Sequence, residues 1–94
     1  MGADFFITKS TGKTAEQAFK QAVKDAKYEY GHKGYTGSMA EKDSFIRIDD
    51  LHPDFVTGWT HKAMNDERII DKWGPAGCID LGNGEYLFFG WASA

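Results

Sequence analysis

A single cysteine, Cys78, cannot close an internal disulfide, so the chain is not a small disulfide-stapled scaffold. No run of about 18 apolar residues occurs, which excludes a membrane-spanning helix. The opening MGADFFITKS lacks the basic start and the apolar stretch of a secretory signal. Met1-Gly2 opens like a myristoylation signal, but Phe6 stands where that pattern wants Ser or Thr. These absences together predict a cytoplasmic setting and no membrane partner. Internal repeats, low-complexity tracts and linkers are also missing, and 94 residues make one domain.

Chemistry-bearing patterns are equally scarce. His32, His52 and His61 show no H-x-x-x-H or H-E-x-x-H spacing and have no cysteine partner, so no metal site is expected. Ser10-Thr11-Gly12-Lys13-Thr14 looks like the end of a phosphate-binding loop. The full pattern needs a glycine where Ile7 stands, inside a strand. A glycine turn followed by a threonine cap explains every residue there. Cys78 lies among apolar neighbours and reads as a small buried hydrophobe. Glu29 and Glu41 flank a loop, but nothing orients them as a catalytic pair. The chain is therefore expected not to be an enzyme and to need no cofactor.

Aromatic residues are plentiful, with seven Phe, four Tyr and three Trp, enough to fill a core. The net charge of −3 argues against general nucleic-acid binding. The charge is also divided. Residues 1–47 hold eight Lys/Arg and six Asp/Glu, whereas residues 48–94 hold three and eight. Basic and acidic faces of this kind suit protein partners or self-association, although ordinary solvated surfaces account for them as well.

The stretch 14–42, TAEQAFKQAVKDAKYEYGHKGYTGSMAEK, organises the rest. Ala15, Ala18, Phe19, Ala22, Val23, Ala26 and Tyr30 form the apolar stripe of a helix with one buried face. Thr14 is its N-cap and Gln17 reaches back in a capping box. Gly31 ends it, and Lys24 and Lys27 complement the dipole near its C-terminus. Residues 3–9 read as a strand before the helix. A strand over about 35–41 and another over 45–49 read as a hairpin. A second helix is expected over 54–65, although Gly58 weakens it. Cys78, Ile79 and Leu81 form a strand, Gly82-Asn83-Gly84 a turn, and residues 85–92 the last strand. The expected fold is α+β, in the order β-α-β-β-α-β-β, with a mainly antiparallel sheet and the helices on one face.

The run after the first helix is the candidate binding surface. Its glycines expose backbone amides, its tyrosines offer flat rings with polar tips, and His32 and Lys33 add positive charge. Tyr30, His32, Lys33, Tyr35, Thr36 and Ser38 are its candidate contact residues, with Trp73 on a second patch beside Gly74-Pro75. Such a surface suits an aromatic hot spot for a protein or a site for a nucleotide. Turn chemistry alone also demands these glycines, and a Trp beside Gly-Pro also serves to pin a loop to the core.

The motifs A-F-K-Q-A-V-K-D-A-K-Y-E-Y-G-H-K-G-Y-T-G-S-M-A-E-K, D-K-W-G-P-A-G-C-I-D-L and F-F-G-W-A-S resemble those of a group of small uncharacterised bacteriophage and mobile-element proteins. The resemblance covers residues of about 11–42 and 71–93. It implies a phage-encoded protein in the cytoplasm of a bacterial host. From it follows the expectation of an inhibitor, anti-CRISPR or similarly anti-defence, that masks a host or defence protein complex. The alternative is a sponge for a nucleotide or signalling nucleotide, using Tyr30, Lys33, Tyr35, Thr36 and Ser38. A homodimer through an edge strand of the final hairpin fits either expectation.

Overall fold

The computed structural model describes residues 2–30, 36–49 and 59–93. Strand β1 (Ala3–Thr11) leads into helix α1 (Ala15–Tyr30), followed by strand β2 (Phe45–Arg47), helix α2 (Trp59–Met64), and strands β3 (Ala76–Gly82) and β4 (Glu85–Ser93). The fold is α+β. The four strands form one sheet in the order β1-β4-β3-β2. The pairings β1–β4 and β4–β3 are antiparallel, and β3–β2 is parallel.

Local chemistry explains most of these elements. The Thr14 hydroxyl accepts from the Gln17 N–H at 3.2 Å, and the Gln17 side chain accepts from the Lys13 N–H at 3.2 Å. The cap thus satisfies one first-turn donor, while the reciprocal bond of the expected capping box falls one residue early, on Lys13 instead of Thr14. α1 ends at Tyr30; Gly31 lies outside the described residues. In the β3–β4 hairpin, Asn83 and Gly84 have φ of 55° and 77°. Positive φ at both central residues makes the turn whose twist matches the flanking strands, and Asn-Gly is its preferred pair.

β4 is buried along nearly its whole length. Successive side chains of a strand point to opposite faces, so its neighbours Phe88 and Phe89 enter different cores. On one face α1 packs Ala18, Phe19, Ala22 and Ala26 against Phe6, Cys78, Tyr86 and Phe88. On the other, Trp59 and Ala63 of α2 join Ile48, Ile69, Ile79, Leu87 and Phe89. β2 divides the same way, with Phe45 towards α1 and Ile46 towards α2.

Four expectations are corrected. The helices pack on the sheet but lie on opposite faces, because β4 presents apolar side chains to both. Within 35–41, the described residues hold a 3-10 turn at Met39–Glu41, capped by Ser38, and no strand. β2 accordingly has no hairpin partner there and pairs with β3 instead. The final hairpin occupies the middle of the sheet, so the edges are β1 and β2. The second helix is described from Trp59 onward, and its expected start at 54 lies outside the described residues.

Candidate functional site

Of the seven residues expected to bind, Tyr30, Thr36 and Ser38 come together. They line a cavity of about 480 Å³ with Asp4, Phe6, Thr8, Ala26 and Met39. Tyr30 is 56% exposed at the end of α1. The two hydroxyls, however, are committed within their own turn. Thr36 Oγ1 donates to Glu41 Oε2 at 2.8 Å and lies 2.7 Å from Ser38 Oγ. Ser38 Oγ accepts from the Ala40 N–H at 3.2 Å. With the Thr36 proton on Glu41, the Ser38 hydroxyl donates to Thr36, and neither proton is left for an anion. The Gly37 N–H is likewise used, donating to the Ser93 carbonyl at 2.8 Å. His32, Lys33 and Tyr35 lie outside the described residues.

Trp73 belongs to a different loop and is 66% exposed. Its backbone N–H donates to Asp71 Oδ1 at 2.9 Å, and Lys72 Nζ lies 5.6 Å from its ring centroid. The loop is anchored from below by Lys42, which is 2% exposed. Lys42 Nζ donates to the carbonyls of Gly74 at 2.9 Å and Lys72 at 3.3 Å, on either side of Trp73. Trp91 is half-buried and committed elsewhere. Its indole N–H donates to the Met64 carbonyl at 2.9 Å, and its ring meets Phe5 edge-on at 5.5 Å.

Burial holds the Lys42 ammonium below the usual lysine range, with the nearby Asp71 charge opposing the shift. The unfolded chain therefore binds this proton more tightly, so stability on this account rises with pH from the folded pKa up to about 10.4. Lys42→Met removes that rise. It also strips two carbonyls of their donor, a loss of about 1–3 kcal/mol that relief of the buried charge partly offsets. Urea melts across alkaline pH check the slope. Hydrogen exchange at residues 72–74 checks the anchor, and faster exchange in the variant is expected.

Sequence reasoning missed the largest cavity among those described. It measures about 610 Å³ and is lined by Phe19, Lys20, Val23, Lys24, Lys27, Tyr28, Lys42 and Asp43. Tyr28, at its end, is 93% exposed. Lys42 thus stands in the cavity wall while its tip holds the Trp73 loop. The signal for this site was present in the i, i+4, i+7 spacing of Lys20, Lys24 and Lys27, which places three cations along one side of α1.

Cys78 is fully buried, and burial pushes its thiol up to about 11. A thiol so protonated is a poor nucleophile at neutral pH. Among the described residues, no group of three or more His, Cys, Asp or Glu could hold a metal ion, and no helix is long and apolar enough to cross a membrane. No protein-family model, curated protein or solved structure matches the chain.

Proposed function

We propose that this chain is a non-enzymatic binding protein that inhibits a bacterial defence system, in the anti-CRISPR or a related anti-defence role, by covering a surface of its protein complex. The observation that carries this reading is the outward display of Tyr28, Tyr30 and Trp73, at 93%, 56% and 66% exposure. Tyr and Trp supply large contact area at low conformational cost and dominate interface hot spots. Lys42 ties two of these rings to one region, since it lines the Tyr28 cavity and anchors the Trp73 loop. The phage-type motifs noted above supply the setting.

Sequestration of a nucleotide through the Tyr/Gly run has less support. Around Thr36 and Ser38 the described charged groups are the carboxylates of Asp4 and Glu41, which repel phosphate.

The test is phage plating on cells that carry a defence system, with and without this protein. Expression is expected to restore plating, and the protein to co-elute with the purified defence complex. Tyr28→Ala with Trp73→Ala should weaken that complex by about 2 kcal/mol or more, roughly thirtyfold in affinity. No restored plating and no co-elution with any system tried would remove the anti-defence role.

A further inference from the structure

The cavity at Tyr28 does not end at Asp43. A second cavity of about 560 Å³, lined by Glu16, Phe19, Lys20, Asp43, Ser44, Phe45 and Arg47, shares Phe19, Lys20 and Asp43 with it. Together they make one trough between α1 and residues 42–47, running from Glu16 to Tyr28. At about 1.5 Å per helical residue this is roughly 18 Å, the length of three helical turns.

We propose that this trough receives an acidic, amphipathic segment of a partner protein. The proposal rests on the binding-protein reading above and names the chemistry of the partner. The trough has an apolar floor of Phe19, Val23 and Phe45, of which Val23 and Phe45 are partly exposed. Lys20, Lys24 and Lys27 stand exposed along one rim, and Arg47 is half-exposed at the far end. The Lys42 ammonium is turned away to the Trp73 loop and Arg47 is shared with Asp49 and Asp80, so the charge offered to the trough is that of Lys20, Lys24 and Lys27, against the two acids Glu16 and Asp43. The chain as a whole carries −3, so the positive charge is concentrated here against the overall balance.

An apolar floor with a cationic rim calls for an occupant that has apolar side chains on one face and carboxylates beside them. A helix lying in a groove meets that need through anchors at i, i+3, i+4 and i+7. Each carboxylate then reaches an ammonium at the rim, where complementary charge favours encounter and register. A nucleic-acid backbone would use the rim but leave the floor empty. The acidic remainder of the chain would also repel it.

The probe is a fluorescein-labelled synthetic peptide of about fourteen residues, Leu on one helical face and Glu on the rest. Its counterpart has the same Leu pattern with Lys for Glu. Fluorescence anisotropy of the full chain is expected to show binding of the Glu peptide that weakens with salt. Lys20→Glu with Lys24→Glu and Lys27→Glu should weaken that binding at least roughly tenfold and create binding of the Lys peptide. The three positions are exposed and Glu is as good a helix former as Lys, but the reversal opposes the helix dipole, so circular dichroism and a urea melt of the variant must show α1 still folded for the comparison to count.

Three results would overturn the proposal: equal binding of the Glu peptide by both proteins, tighter binding of a single-stranded oligonucleotide, or salt-sensitive dimerisation that the reversal abolishes. Peptide binding without phage protection would retain the trough and remove the anti-defence role. Protection that survives the charge reversal would do the opposite.

Discussion

Phe88→Ala is expected to cost about 3–5 kcal/mol, the range for truncating a buried aromatic residue to alanine. Phe88 is fully buried and stands between the sheet and α1. Its ring meets Phe19 of α1 at 5.7 Å and Phe45 of β2 at 5.7 Å, both edge-on, and those two rings are 5.0 Å apart. One side chain thus joins the helix, the central strand and an edge strand. Alanine would leave a void that none of them can close without shifting the other two. Domains of this size hold roughly 5–15 kcal/mol in all, so the variant loses a large part of its margin. Its melting temperature should fall by something on the order of 20 °C. Ile7→Thr is the control: Ile7 is apolar but 46% exposed, and its change should stay within about 0.5 kcal/mol. Equal losses in the two variants, read from urea melts, would mean that the ring cluster does not hold the layers together.

Gly77→Ala should destabilise the opposite face by about 1–3 kcal/mol, through overpacking. A Cβ at Gly77 would lie 2.6 Å from Phe89 Cζ and 2.8 Å from its neighbour Cε2. Phe89 cannot swing aside freely. It is fully buried, and Trp59 stands edge-on against it at 5.6 Å. The sharper measurement is a double-mutant cycle. Phe89→Leu shortens the ring that meets the new methyl group, so the pair Gly77→Ala and Phe89→Leu should cost less than the two single changes added. A coupling of about 0.5–3 kcal/mol is expected for groups in direct contact. Simple additivity would show that the close approach is not what requires glycine.

The expected elements succeeded where the deciding interactions are local. α1 followed from its apolar spacing and Thr14 cap, and the β3–β4 hairpin from Asn83-Gly84. The alternation of Phe45, Ile46 and Arg47 was also correct as a strand. What misled was the partner assigned to it. A neighbouring strand was expected over 35–41, but Ser38 spends its side chain capping a 3-10 turn at Met39–Glu41. The two-sided packing was legible and overlooked. A strand covered on one face alternates apolar and polar residues, whereas Tyr86-Leu87-Phe88-Phe89 is unbroken, the mark of burial on both faces.

The candidate site divides along the same line. Exposure of Trp73 was not legible in the sequence, and Tyr30, expected on the buried stripe of α1, is instead 56% exposed; the internal commitment of Thr36 and Ser38 likewise depended on Glu41 folding back across them. The amino-acid order alone determined the helix, the last hairpin, the apolar residues of the core and the three lysines on one side of α1. The tertiary structure decided which strands pair, which face each helix covers, and that Phe45 and Arg47 stand across from those lysines to complete a trough. Spacing along the chain sets which side chains share a face of one element. Which faces meet depends on burying every apolar stripe at once, and that condition belongs to the whole chain.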